Sequence, residues 1–450
     1  MSGFVPGVEA EERVYDKARG ATGRRSTQAI RWLIRRKFLS RLAAASAAIG
    51  ALLLLLMLGA ASFAGGGSYH PGGPADDAEA WVESGSDTDP GKAQPATVNW
   101  KLEKTTGEKP APRGAGKWVP VGTKIVAIGG FYECFDKTKC EHTYYDDVFT
   151  FDTKTNMWEK KNPRSADGAM PGKRVFMGAA PYKKKKTAVT FGGAWYNATV
   201  SSLRMYDDMW EYNPETDVMA QVKYANQGPV ARLGAELAIK DETVYLFGGY
   251  DQELKNHNDL WTFNLESKQW QQLKTDDDPA SPSKRYIFRF VLDEPNQDIY
   301  IFGGNFREKR VTVQRKDVWK YHIPANSFSP VVSEKDTNIS GRTHGAAALF
   351  GGHFIIAMGD IPDGGCFTNQ DSEHQYPTNE VWALQTGKPA ELWKQVKIGI
   401  GPPPLKRVFY AAVGDKLYLT LGFDYKCDNP ETAGPIYNTN TYSLDLRQIR

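Results

Sequence analysis

The chain has 450 residues, enough for several average domains or one large repeat architecture. Hydrophobic residues make up 41% and charged residues 24%, which excludes wholesale disorder, a collagen-like chain and a multi-span membrane protein. The formal net charge of +3 is small, so no overall electrostatic field indicates a nucleic-acid partner.

The N-terminal part of the chain combines a basic tail, residues 1–41, with an uncharged segment, residues 42–64, that is centred on Leu52 to Leu56. A helix of that length reaches roughly 35 Å and can cross a hydrocarbon core of about 30 Å. The positive-inside rule places the tail in the cytosol and the rest of the chain on the lumenal or extracellular side. We therefore predict a single-pass signal-anchor helix in a membrane of the secretory pathway or the cell surface. The alternative is a cleaved signal peptide, although the stretch before the apolar segment is long for one.

Residues 65–95 are rich in Gly, Pro, Asp and Glu and have no apolar periodicity. This composition is typical of a flexible, extended linker. We predict that residues 65–95 tether the anchor to a folded domain over residues 96–450.

Internal repeats organise the rest of the chain. An apolar run ends in Gly-Gly four times, and two degenerate copies read Met358-Gly359 and Leu421-Gly422. An arginine precedes each of these motifs, and an acidic or amide residue that opens an alternating apolar strand follows each of them. The six arginines are Arg113, Arg174, Arg232, Arg285, Arg342 and Arg407. The acidic or amide residues are Asp147, Asp208, Asp259, Asp317, Glu380 and Asn440.

This pattern resembles the kelch repeat, and the resemblance covers roughly residues 95–450. It implies an all-β fold in which each repeat forms one four-stranded blade of a six-bladed β-propeller. The physical argument agrees, because a single blade cannot bury both of its faces and the copies must pack on each other.

Ring closure depends on the sixth blade. A large apolar residue opens the fourth strand of each earlier repeat, but the same spacing in repeat six falls beyond Arg450. Trp100 lies before Arg113 at a spacing like that of the other outer-strand residues. We predict that Trp100 opens the outer strand of blade six and joins the two ends of the propeller, which removes a free sheet edge.

The loops after the glycines are long in repeats one, five and six, which are neighbours in a closed ring. Long aromatic loops on a rigid scaffold are typical of binding surfaces, although the same aromatics could cover blade edges. The candidate binding residues are Phe131, Tyr132, Phe135, Tyr144, Phe367, Tyr376, Phe423 and Tyr425.

The repeated arginines allow two interpretations. They could ring the channel mouth and attract carboxylates or phosphates, or each could pair with an acid of its own or the adjacent blade. Recurrence in every repeat favours the structural role. The four lysines Lys183 to Lys186 are predicted to form a solvated hairpin turn on the opposite face, with a polyanion contact as the alternative.

Cysteines and glycosylation motifs bear on the compartment. The four cysteines, Cys134, Cys140, Cys366 and Cys427, contain no Cys-x-x-Cys pair, and disulfides are the default in an oxidising lumen. We predict Cys134–Cys140 and Cys366–Cys427, with a bond from Cys427 to blade one as the alternative. Asn197 and Asn338 begin Asn-x-Ser/Thr motifs and are predicted glycosylation sites.

The chain offers few singular residues for catalysis. The seven histidines show no metal-ligand spacing, and no phosphate-binding loop, dinucleotide fingerprint or nucleophile elbow occurs. We therefore predict no catalytic residues, no metal and no cofactor. The favoured function is a membrane-anchored, non-catalytic module that binds a protein or glycan. The alternatives are an accessory structural subunit of a membrane complex and a secretory-pathway enzyme with an active site on a propeller face.

Overall fold

A computed structural model describes residues 97–133, 142–197, 202–308, 311–362, 375–388, 392–425 and 435–449. The strands of the first half, in chain order, are β1 (Trp100–Leu102), β2 (Thr106–Gly107), β3 (Lys117–Val121), β4 (Lys124–Ile128), β5 (Phe131–Tyr132), β6 (Thr143–Tyr144), β7 (Val148–Asp152), β8 (Met157–Lys161), β9 (Arg164–Ser165), β10 (Gly178–Tyr182), β11 (Thr187–Phe191), β12 (Ala194–Asn197), β13 (Ser202–Met205), β14 (Met209–Asn213), β15 (Val218–Val222), β16 (Arg232–Leu233), β17 (Glu236–Lys240), β18 (Thr243–Asp251), β19 (Asn256–Asn264) and β20 (Trp270–Lys274).

The second half continues the same alternation of short strands and turns, and a single-turn 3₁₀ helix follows the last strand. These elements are β21 (Arg289–Asp293), β22 (Asp298–Phe302), β23 (Asn305–Glu308), β24 (Val311–Gln314), β25 (Val318–His322), β26 (Ser327–Val332), β27 (Ala346–Phe350), β28 (His353–Ala357), β29 (Asp360–Pro362), β30 (Gln375–Pro377), β31 (Val381–Gln385), β32 (Lys394–Val396), β33 (Phe409–Val413), β34 (Lys416–Thr420), β35 (Phe423–Tyr425), β36 (Pro435–Tyr437), β37 (Thr441–Asp445) and the helix Leu446–Gln448.

Six antiparallel sheets form the blades of a propeller, as predicted. From the inner to the outer strand, blades one to three are β3-β4-β7-β8, β10-β11-β14-β15 and β17-β18-β19-β20. Blades four to six are β21-β22-β25-β26, β27-β28-β31-β32 and β33-β34-β37-β1. The hairpins between the first and second strands lie on one face, which we call the hairpin face. The connections between the second and third strands lie on the opposite face.

The core lies between adjacent blades because each sheet buries both of its faces. Val244 and Leu246 of blade three are fully buried and pack in one cluster with Phe191 of blade two. Burying an aliphatic or aromatic side chain of this size contributes about 1.5–3 kcal/mol. Each interface between blades therefore stabilises the fold only while both of its blades are present.

The N-terminal strand closes the ring, which confirms the prediction for Trp100. Strand β1 pairs with β37, and Trp100 lies opposite Leu444. Glu103 follows the strand, is buried, and accepts a hydrogen bond from the Ser443 hydroxyl at 2.7 Å. The chain enters blade six at its hairpin face, where Val98 bridges Ile398. It leaves the propeller on the same face, where the Leu446 amide donates to the Asp415 carbonyl.

The two positions of each Gly-Gly motif have different constraints. The first position is left-handed in every repeat, yet Met358 and Leu421 adopt it with φ of 60° and 55°. The second position is glycine in all six repeats, and its φ lies between 77° and 111°, beyond the narrow left-handed region that other residues can adopt. This larger positive φ therefore explains why only the second glycine is retained throughout.

No helix among the described residues is long and apolar enough to cross a membrane. The predicted tail, anchor and linker, residues 1–95, lie outside the described residues, so the anchor stays a prediction.

Candidate functional site

Within the described ranges, the face opposite the hairpins carries six β-ribbons, and we call it the ribbon face. Sequence spacing predicted long loops only in blades one, five and six, but the second and third strands extend past the sheet in every blade. Five ribbons are separate two-stranded pairs, β5-β6, β12-β13, β23-β24, β29-β30 and β35-β36. In blade three the extension is continuous, because β18 and β19 run on to Asp251 and Asn256.

Five of the repeated arginines pair with the acid of their own blade, so the structural interpretation is confirmed for them. Arg285 is the most buried example, and its guanidinium contacts both carboxylate oxygens of Asp317 at 2.8 Å. The Trp319 indole donates to the same carboxylate, which explains why a tryptophan follows this acid by two residues in four repeats. The other pairs are Arg113–Asp147, Arg174–Asp208, Arg232–Asp259 and Arg342–Glu380.

Blade six departs from this scheme, and the prediction that Arg407 is its repeat arginine is wrong. The amide of each second glycine donates to the carbonyl of the arginine position in the next blade, and Gly359 donates to Leu405. Leu405 is therefore the sixth equivalent, and Asn440 stands in place of the acid. Both members of the ion pair are missing together, which avoids a buried charge without a partner.

Arg407 belongs instead to a ring of left-handed residues at the ribbon-face end of the channel. The ring consists of Ala115, Phe176, Gly234, Ile287, His344 and Arg407, with φ between 54° and 66°. Backbone hydrogen bonds link its members around the axis, such as Phe176 to Ala115 at 3.0 Å and Gly234 to Phe176 at 2.7 Å.

The Arg407 side chain is held between blades six and one. Its guanidinium forms a buried ion pair with Glu133, which follows ribbon strand β5 of blade one. It also lies 5.3 Å from the Phe131 ring centroid and 5.4 Å from that of Phe423. Sequence reasoning missed Glu133 because it occurs in only one repeat.

The structure brings several predicted binding residues together between the ribbons of blades one and six. Phe131 and Phe423 are buried there, and the Tyr132 and Tyr437 rings stack at 4.8 Å. Tyr144 stacks on Phe131 at 5.3 Å and stays partly exposed. Tyr376 and Tyr425 lie on ribbon strands β30 and β35, whereas Phe135 and Phe367 lie outside the described residues.

Burial changes the pKa values of two residues in and next to this cluster. It raises the pKa of Tyr144 to about 12, with the Glu133 charge adding to the effect, so the phenol is neutral at physiological pH. It also lowers the pKa of His344 to about 4, which keeps the imidazole neutral. His344 contacts the Asp360 carboxylate at 2.9 Å, as expected for a core histidine with a polar partner.

One group of side chains in blade three has ligand atoms that lie close enough together for a metal ion. His257, Asp259 and Asp276 place these atoms within 4.8 Å of one another. The His257 ring nitrogens already contact Asp276 at 2.7 Å and Asp251 at 2.9 Å. Because Asp259 pairs with Arg232, these contacts give each group a structural role.

The lysine hairpin of blade two faces acids of its own blade and of blades three and four. Lys183 pairs with Glu294, Lys184 lies 2.8 Å from Glu266, and Lys185 lies 3.7 Å from Glu211. These exposed pairs are typical of a solvated turn on the hairpin face, and each contributes little to stability.

The four predicted disulfide cysteines lie outside the described residues, so their pairing stays a prediction. Asn197 ends ribbon strand β12 and is followed by residues that are not described. The Asn338 amide donates to the Trp393 carbonyl at 2.8 Å and accepts from its amide at 3.0 Å. Asn226 binds Trp270 in the same way, so Asn338 also has a structural role in connecting blades.

This architecture defines a closed six-bladed propeller with one ribbon-bearing face. The KLHDC2/KLHL20/DRC7 Kelch-repeats domain model matches residues 63–286 and, in an overlapping match, residues 237–448. The chain belongs to this kelch-repeat family, as its repeats indicated.

Three curated relatives share about a quarter of their aligned residues with this chain. The host cell factor homolog hcf-1 of Caenorhabditis elegans is 24% identical over 67% of this chain and 40% of its own length. The leucine-zipper-like transcriptional regulator 1 homolog of Drosophila melanogaster is 24% identical over 58% of this chain and 26% of its own. Kelch domain-containing protein 1 of Mus musculus is 25% identical over 48% of this chain and 53% of its own. The chain thus spans 26–53% of the length of these relatives.

Proposed function

We propose that this chain is a protein-binding module whose ribbon face docks a partner. The observation that carries the proposal is that all six ribbons project from one face of a ring that is closed by β1. A closed ring fixes the relative positions of the ribbons, and fixed loops lose little conformational entropy when a partner binds.

The ribbon face also presents side chains suited to a protein interface. Ile436 on β36 is 43% exposed and Val313 on β24 is 41% exposed, while Tyr132 and Tyr144 are partly exposed. Aromatic and aliphatic residues flanked by charges are typical of interface centres. Arg407 supports this surface from beneath, because its buried contacts hold the ribbons of blades one and six together.

Replacing Ile436 with Asp is expected to weaken partner docking strongly without unfolding the propeller. A charge placed at an apolar interface position costs desolvation and should lower partner recovery about tenfold or more. The measurement is quantitative proximity labelling in the source cells with the full chain fused to a biotin ligase. Partners of the ribbon face are those that are lost in the Ile436→Asp variant.

Met157→Asp is the matched control, because Met157 is 45% exposed but begins β8 at the hairpin-face end of blade one. Partners should be retained in this variant. Equal loss of partners in both variants, or in neither, would contradict docking at the ribbon face. A stoichiometric complex that survives gentle detergent would indicate the structural-subunit alternative, and loss of labelling after deglycosylation of the cells would indicate a glycan ligand.

We further propose that residues 42–64 anchor the chain with its N-terminus in the cytosol and the propeller on the lumenal or extracellular side. The proposal rests on the uncharged segment and the basic residues that precede it. The predicted disulfides and glycosylation sites belong to the same compartment.

Protease added to sealed microsomes is expected to remove only the first 40 or so residues, because the bilayer shields the propeller. Immunoblotting with antibodies against each end measures the result, and microsomes opened with detergent serve as the control. Digestion of the propeller in sealed vesicles would overturn the orientation. A glycopeptide at Asn197 or Asn338 would support it independently.

A further inference from the structure

The central channel contains a cavity of about 320 Å³ that is separate from the ribbon surface. Its ribbon-face end is bounded by the left-handed ring described above, and its other end reaches Lys183 and Glu294 on the hairpin face. The ion pair between Lys183 and Glu294 crosses from blade two to blade four. Most of the wall is apolar, so any charged group inside interacts strongly with a bound ion.

Three charged side chains face this cavity from the same repeat position, the fourth residue after the arginine position. They are Lys117 in blade one, Glu236 in blade three and Arg289 in blade four. The equivalent residues of the other blades are Gly178, Ala346 and Phe409, which carry no charge. Two cations and one carboxylate leave this level of the channel with an excess of one positive charge.

The Glu236 carboxylate already has a cationic partner. Lys117 Nζ contacts both Glu236 oxygens at 2.6 Å, and the Glu236 side chain is only 9% exposed. This pair joins blade one to blade three across the channel. The Glu236 charge also attracts the Arg289 guanidinium through space, but one carboxylate cannot balance two cations, so this level of the channel keeps an excess of one positive charge.

Arg289 is 7% exposed, and its described hydrogen bond runs from Nη1 to the Tyr410 hydroxyl at 3.0 Å. Within the part of the chain that the structure describes, no carboxylate lies within ion-pair distance of Arg289. Arg289 also lines the cavity. A buried guanidinium without a carboxylate is costly, and its planar set of donors matches the two oxygens of a carboxylate or phosphate.

We propose that the channel binds a small oxyanion at Arg289, with Tyr410 positioning the guanidinium, while Lys117 stays paired with Glu236. The occupant is a free small molecule of the carboxylate or phosphate class, because the volume is too small for a folded partner. The ligand would neutralise the excess charge beside the contact between Arg289 of blade four and Tyr410 of blade six. The site is independent of the ribbon face, so partner docking and anion binding can fail separately.

Isothermal titration of the purified full chain with sodium phosphate and with sodium acetate, at constant ionic strength in chloride, tests the proposal. We expect saturable binding of at least one of these probes at a single site, and comparison of the two distinguishes phosphate from carboxylate recognition. Arg289→Met should weaken that binding about tenfold or more, because it removes the charge-assisted hydrogen bonds. Glu236→Gln should tighten it, because Lys117 then loses its competing partner.

Arg164→Met is the matched control, since Arg164 is an exposed arginine on the outer strand β9 and should leave the affinity unchanged. If Arg289→Met fails to fold, the wild-type titration and the Glu236→Gln variant still decide. Absence of saturable binding of both probes to the wild-type chain would overturn the proposal. So would an unchanged affinity in a folded Arg289→Met variant, or weaker binding in Glu236→Gln.

Discussion

Deleting residues 1–104 is expected to destabilise the propeller strongly, whereas deleting residues 1–94 should leave it folded. The longer deletion removes β1, and with it Trp100, which is buried in one cluster with Leu417 and Leu444. Losing a buried tryptophan alone typically costs about 3–5 kcal/mol, and the deletion also exposes the edge of β37. The expected loss of unfolding free energy is therefore at least of that size.

Urea denaturation followed by tryptophan fluorescence measures the difference between the two truncated chains. The Trp100→Ala variant of the shorter deletion is the internal comparison, because it keeps the strand pairing and removes only the side chain. Equal urea midpoints for the two deletions would show that the N-terminal strand does not close the ring.

Breaking the Arg285–Asp317 pair on one side is expected to cost about 3–5 kcal/mol, because it leaves a buried charge without its partner. Arg285 is completely buried and Asp317 nearly so, which makes blade four a sensitive place for this test. Arg285→Leu and Asp317→Asn are the two single variants. They reproduce, one at a time, the residues that blade six carries as Leu405 and Asn440.

The double variant should recover a large part of the loss, because it removes both charges as blade six does. Thermal and urea unfolding of the four chains give the interaction free energy directly. Additive losses would contradict the view that the two charges exist mainly to neutralise each other.

The Arg285–Asp317 pair also determines the direction in which the free energy of unfolding changes with pH. Burial alone would raise the pKa of Asp317, but the Arg285 charge and its hydrogen bonds lower the pKa below its ordinary value. The unfolded state therefore takes up this proton first as the pH falls. The contribution of the pair is present at neutral pH and is lost on acidification through the folded-state pKa, and Asp317→Asn should flatten that dependence.

Much of the fold follows from the sequence because six copies of one unit restrict each other. The glycine and acid positions gave the number of blades, and the position of Trp100 relative to Arg113 gave the closure. Each of these signals depends on backbone geometry that every blade must satisfy. Periodic markers of this kind are readable in a single chain.

The error at Arg407 has a simple origin. The number of residues between the arginine and the glycine differs among the repeats. Arg407 lies only two residues after Leu405, so its spacing to Gly422 was similar to the spacings in the other repeats. The residue that revealed the shift is Leu405, whose backbone carbonyl accepts from Gly359. A backbone hydrogen bond of this kind does not require a particular side chain, so it cannot be predicted from the residue types.

The charged residues of the channel show which contacts cannot be predicted from the repeats. Lys117, Glu236 and Arg289 occupy one repeat position, so aligning the repeats would have placed them at one level of the channel. What the alignment could not give is that Lys117 reaches Glu236 past blade two while Arg289 contacts Tyr410 of blade six. These two contacts depend on how far each side chain extends across the channel axis, and the repeat position alone does not determine that.

The entry of the chain at Val98 and its exit at Leu446 on the hairpin face decide how the propeller can be displayed. A linker attached at either point leads away from the ribbons, so a biosensor chip coupled through it would present the ribbon face to the solution. The two points are also the ends of the paired strands β1 and β37, so joining them by a short peptide and opening the chain elsewhere would yield a circular permutant. Such a permutant with new ends in the hairpin between β10 and β11 would retain every ribbon.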